Sequence, residues 1–133
     1  MSNLETVKTQ FPSFPEVNRN TSLDIKDNQL WQVLCGDKGH WRTGLYSPEA
    51  NSIDAVDRLE KHDCPELFLL LSGEISIVIK ENNKLKIITL EPLKPILVDT
   101  WHNGFCPNGK HTGTALVVER DEFTTLYQSM LQG

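Results

Sequence analysis

Residues 66–90 read ELFLLLSGEISIVIKENNKLKIITL, and this stretch decides the fold class. Ile75, Ile77 and Ile79 alternate with Ser76, Val78 and Lys80, the period of a strand whose successive side chains leave opposite faces. Glu81-Asn82-Asn83 supplies a turn and Lys84–Leu90 returns, so the pair predicts a hairpin. Glu66–Ser72 is a short apolar run closed by Ser72-Gly73, again of strand length. Outward from this core, short apolar or alternating runs predict strands near 30–35, 41–46, 53–60, 66–72, 74–80, 84–90, 95–99 and 114–119. Gly36–Gly39, Ser47–Asn51 and Pro107–Gly113 supply further breaks. So many short strands in one small domain must protect their edges, as a closed β-barrel or a two-sheet jelly roll does. The expected class is all-β.

The 133 residues fit a single domain. Residues 1–22 are polar and punctuated by Pro12 and Pro15, with Phe11, Phe14 and Val17 as anchors. They read as an N-terminal arm lying across the body or across a partner subunit. Residues 23–133 form the barrel domain. Phe123, Leu126, Tyr127 and Met130 recur at spacings of three and four, which predicts a short C-terminal helix over 121–131 on the outside of the sheets.

Thirteen Lys plus Arg against 18 Asp plus Glu give a net charge of −5, and no basic run stands out. Sequence-independent nucleic-acid binding and electrostatic attachment to anionic lipid both need a basic face, so both are excluded. The longest apolar run, Leu67–Leu71, is far short of the roughly 20 residues that span a bilayer, so no membrane role is expected. MSNLETVKTQFPSFPEV lacks a basic start followed by an apolar stretch, so no secretory signal is expected. Cys35, Cys64 and Cys106 form no CxxC pair and read as reduced thiols of a cytoplasmic protein. No glycine-rich phosphate loop, Gly-x-Ser-x-Gly elbow or HExxH is present, so nucleotide-binding, serine-hydrolase and zincin chemistry lack support.

The chemistry concentrates in Glu60-Lys61-His62-Asp63-Cys64-Pro65-Glu66. Glu60 and His62 are two apart and share a strand face. Pro65 interrupts the ladder, Glu66 opens the next strand, and Gly73 follows seven residues later. The strand PILVDT then delivers Trp101-His102-Asn103. In this pattern the chain resembles the cupins. Their first motif carries His-x-His, three or four residues, Glu, six residues, then Gly, and here Glu60-x-His62, Glu66 and Gly73 keep that spacing with glutamate at the first histidine. In the second motif only His102 matches: Leu97 and Asp99 stand at the proline and glycine positions and Cys106 at the closing asparagine, as Asp54 replaces the glycine opening the first.

The resemblance implies a cupin-like β-barrel, or double-stranded jelly roll, with a divalent metal held inside by Glu60, His62, Glu66 and His102. Two imidazoles with one or two carboxylates suit iron, manganese, nickel or zinc and leave positions open for water or substrate. Glu60 or Glu66, if free of metal, would serve as general base, with a pKa raised in a dry barrel. The same residues also read as a solvated charged corner between two strands. Cys64 shares the parity of Glu60 and His62 and reads mainly as a small buried residue. Arg58, on the face of Glu60, is a candidate for holding a substrate carboxylate or phosphate, or else a surface ion pair. Tyr46 and Phe68 are candidate pocket residues.

Two functions stay open. One is a metal-dependent enzyme of isomerase, lyase or oxygenase type acting on a small oxygen-rich metabolite. The other is a non-catalytic small-ligand-binding or sensor barrel without metal, which the substituted first ligand and degraded second motif favour. The arm and the apolar strand edges, together with the habit of cupins to pair through sheet edges, lead to an expected homodimer.

Overall fold

The computed structural model describes residues 4–130. Eleven strands form among them: β1 (Leu4–Lys8), β2 (Trp31–Asp37), β3 (Trp41–Tyr46), β4 (Arg58–His62), β5 (Glu66–Ser72), β6 (Ser76–Glu81), β7 (Lys84–Thr89), β8 (Ile96–Val98), β9 (Trp101–Phe105), β10 (Thr114–Glu119) and β11 (Thr124–Ser129). They build a six-stranded sheet in the order β1-β11-β4-β9-β6-β7 and a five-stranded sheet in the order β2-β3-β10-β5-β8. Every pairing is antiparallel.

The main core joins the inner faces of both sheets. Ile77 and Ile79 of β6 meet Phe68 and Leu70 of β5, Val98 of β8, and Ala115 and Val117 of β10. Ile77 and Ala115 are fully buried. Each large aliphatic side chain here contributes roughly 1.5–3 kcal/mol through removal from water. A second cluster of Val56, Leu59, Val78 and Phe105 packs on the outer side of the six-stranded sheet, under Ala50, Ile53, Trp101 and Met130. Val78 therefore points away from its neighbours Ile77 and Ile79, as strand alternation requires.

The hairpin read from the sequence forms with Glu81 opposite Lys84. Asn82 and Asn83 both adopt positive φ, 52° and 62°. A two-residue turn of this hand matches the twist of its strands, and asparagine tolerates the left-handed region better than most residues.

Three expectations are corrected. The C-terminal helix expected over 121–131 is instead β11, placed between β1 and β4; Leu131 lies outside the described residues. Thr125 pairs with His62 and Tyr127 with Glu60, and the ladder's bonds override the helical spacing. Alternation splits the supposed apolar face: Phe123, Thr125 and Tyr127 line the interior pocket, while Met130 packs on the outer cluster. The strand expected at 53–60 divides into a 3-10 turn, Ile53–Ala55, and β4 beginning at Arg58. Finally, PILVDT and Trp101-His102-Asn103 belong to different sheets, because the chain crosses over at Asp99-Thr100 between β8 and β9. The arm runs back along the body, with Leu4 opposite Gln128 and Lys8 opposite Thr124.

A candidate metal centre between the sheets

Two crossovers create the site. β4 of the six-stranded sheet carries Glu60 and His62; after only Asp63, Cys64 and Pro65 the chain enters β5 of the five-stranded sheet at Glu66. The second crossover brings His102, on β9, directly opposite Glu60. Three of the four groups thus descend from one sheet and Glu66 rises from the other. One ligand atom from each lies within 4.8 Å of all the rest.

His62 Nε2 is 2.5 Å from Glu66 Oε1 and 3.5 Å from Glu60 Oε1, while His102 Nε2 is 2.8 Å and 3.9 Å from the same two atoms. Atoms this close together could share one ion. The second nitrogen of each ring is already committed. His62 Nδ1 is 2.7 Å from the Thr125 hydroxyl, and His102 Nδ1 is 2.7 Å from the Thr100 carbonyl oxygen. A carbonyl only accepts, so His102 Nδ1 carries the proton and its Nε2, when the ring is neutral, offers a lone pair to the cluster.

Glu66 Oε1 and His102 Nε2 are buried yet have no hydrogen-bond partner. Their 2.8 Å approach is close but not aligned as a hydrogen bond. Orphaned buried polar atoms are uncommon in a folded protein. A cation between them would satisfy both, so the donor set fits a divalent metal.

Electrostatics within the cluster is strong. Burial disfavours the charged form of His62, but the carboxylates of Glu60 and Glu66 outweigh it and raise its pKa from 6.5 to about 10. His102 is raised by the same contest of burial against Glu66. Burial pushes the Glu66 carboxyl up, yet the two imidazoles prevail and lower it to about 2. The expectation of a raised pKa is therefore corrected for Glu66: it stays ionised.

The cluster opens into a cavity of about 650 Å³. Its walls include the three candidates Arg58, Phe68 and Tyr46. Phe68 stacks edge-on to His102 and to Tyr46. The Tyr46 hydroxyl donates to Asn103 Oδ1 at 3.2 Å, and burial first, then the Glu60 charge, keep it protonated. Gly104 makes room for this ring, since a Cβ there would stand 2.7 Å from the Tyr46 oxygen. Arg58 stacks over the Tyr127 ring at 3.9 Å. Cys64 is buried, and Trp101 packs in the outer cluster, opposite in parity to His102.

Sequence reading missed two cavity residues, Arg42 and Glu119. They form a buried ion pair, Nε to Oε2 at 2.8 Å, across the paired positions of β3 and β10. Burial, then the charge of Glu66, raise the Glu119 pKa from 4.5 to about 7 against the pull of Arg42. Only knowledge of the β3–β10 register would have joined residues 77 apart.

This arrangement of two antiparallel sheets aligns with solved structures. A cupin-2 domain protein from Shewanella frigidimarina aligns with a TM-score of 0.52 at 15% identity, over 72% of this chain and 84% of that one. The fold is that of the cupins. A cupin 2 domain-containing protein from Halorhodospira halophila shares it at TM-score 0.55 and 12% identity, over 91% and 79% of the two chains. So does hydroxypropylphosphonic acid epoxidase from S. wedmorenis, at 0.55 and 17% identity, over 80% of this chain and 59% of that one. This cupin-fold chain thus spans about three fifths of the epoxidase, whose structures, as HppE, include an Fe(II) form. No protein-family model and no curated protein matches the sequence.

Proposed function

We propose that this cupin-fold chain is a metal-dependent enzyme acting on a small oxygen-rich metabolite, with isomerase, lyase or oxygenase type chemistry. The observation that carries this is the pair of orphaned buried atoms, Glu66 Oε1 and His102 Nε2, inside a set of four convergent donors. The Fe(II) in the neighbouring HppE structure supports iron among the candidates, beside manganese, nickel and zinc. When bound, such a metal supplies Lewis acidity and, with a redox metal, oxygen chemistry.

The chain's own groups do the rest. His62, His102 and Glu66 would hold the ion from two sheets at once. Glu60 stands farther from both imidazoles and is partly exposed, so it would be the carboxylate that accepts a proton from substrate. Phe68 and Tyr46 exclude water from the inner wall.

Elemental analysis of purified protein after incubation with each divalent ion tests this. The expected result is about one metal per chain, lost in Glu66→Gln and His62→Ala. A wild-type chain that neither retains nor takes up any divalent ion would sink the reading.

The second reading is a metal-free binding barrel. The short Glu66 contacts to both imidazoles favour it, since protonated rings would balance the Glu66 charge without an ion. Ligand-induced thermal stabilisation that persists in chelator would support it, and stabilisation abolished by chelator would exclude it.

A further inference from the structure

The cavity holds two arginines, and they are in opposite states. Arg42 is spent: its Nε donates to Glu119 at 2.8 Å and its Nη1 to the Ser13 carbonyl at 3.0 Å. Arg58 is exposed at the cavity wall, two residues before Glu60 and on the same strand face. Its guanidinium carbon sits over the Tyr127 ring, 3.9 Å from the ring centre, and the group has no ion pair and no side-chain hydrogen bond among the described residues. The stacking orients the planar group and leaves its in-plane donors available.

The backbone beneath Arg58 is pinned as well. β4 and β9 share one paired position, Glu60 with His102. Beyond it the strands part, and the Asn103 side chain fills the gap by donating from Nδ2 to the Arg58 carbonyl at 2.7 Å. A free guanidinium is therefore carried one alternation, roughly 7 Å between Cα atoms along the strand, from a metal-site carboxylate, and both residues line the same cavity. The other cavity carboxylates are matched or remote from it: Glu119 by Arg42, Glu49 by Lys110, and Glu60 and Glu66 by the imidazoles. Asp57 also lines the wall without pairing to Arg58.

We propose that Arg58, stacked on Tyr127, is a specificity residue that selects a substrate with an anionic end group, a carboxylate, phosphate or phosphonate, whose other end reaches the metal site. This rests on the metal reading above. Planar bidentate pairing of guanidinium with such groups gives both strength and register. The separation selects a short molecule, with the anion a few bonds from the oxygens that approach the metal.

The test uses the full chain loaded with Mn(II), titrated calorimetrically with glycolate and with malate at fixed ionic strength. Malate adds one carboxymethyl arm to the glycolate chelating unit. Wild type should bind malate about tenfold or more tighter than glycolate, as one charge-assisted bidentate contact provides. Arg58→Gln should reduce that preference to about twofold while Mn(II) uptake persists, and Arg58→Lys should retain part of it. Because Arg58 is exposed, neither change threatens folding. Mn(II) binding without a malate preference, or a preference that survives Arg58→Gln, overturns this inference alone. Failure of the wild type to bind Mn(II) overturns the metal reading and this inference with it.

Discussion

At the residue scale, the two histidines differ in what fixes them. His102 is held by a backbone carbonyl that no substitution can remove, whereas His62 depends on the Thr125 hydroxyl. Thr125→Val keeps the shape of the side chain and deletes only the polar atom. It should weaken metal binding by about 10–100-fold while the chain stays folded, because partners behind the ligands tune affinity to that extent. Unchanged metal affinity, measured by competition with a coloured chelator, would show that His62 does not need this partner. The spacing of His62, Glu66 and Gly73 was legible because it runs through consecutive pieces of chain: the end of β4, a three-residue crossover, β5 and the turn that closes it. Arg42 and Glu119 were not, since no local pattern joins residues that only the pairing of β3 with β10 brings together.

At the element scale, the central hairpin and most strands could be read from turn chemistry and alternation, and the terminal strands could not. β11 imitates a helix in its spacing of Phe123, Leu126, Tyr127 and Met130, and only its two neighbouring strands decide otherwise. β8 and β9 read as one run because the crossover at Asp99-Thr100 leaves no glycine or proline signal. Gly73 shows the opposite case, a turn residue whose necessity was visible. It has a φ of +68°, and any Cβ would collide with the Thr112 carbonyl oxygen. Gly73→Ala should destabilise the fold by at least roughly 2 kcal/mol in urea denaturation, combining backbone strain with the displaced strand β10. An unchanged midpoint would mean that the Thr112 segment yields freely.

At the scale of the whole molecule, protons and metal compete for the same four groups. The His62 pKa, raised from 6.5 to about 10, adds stability to the metal-free fold that is complete below pH 6.5 and vanishes as pH climbs through about 10. Glu119, raised from 4.5 to about 7, adds a decline across that lower interval. Glu66, lowered from 4.5 to about 2, adds stability above pH 4.5 that disappears as pH falls towards 2. The metal-free protein should therefore lose melting temperature from about pH 6.5 to 10, and the metal-loaded protein should hold it, since the ion replaces the departing protons. Calorimetry with and without chelator across this range checks the sign; parallel flat curves would refute it. The crossover at Asp63-Cys64-Pro65 carries a different consequence. Its backbone is clamped, since Arg120 donates to the Asp63 carbonyl and carboxylate and the Thr124 amide donates to that carboxylate. Connections between strands ordinarily absorb inserted residues without harm. Here three residues tether His62 to Glu66, so one added residue would rotate either group out of the cavity. A library of random insertions should find this surface corner as intolerant as the buried strands beside it.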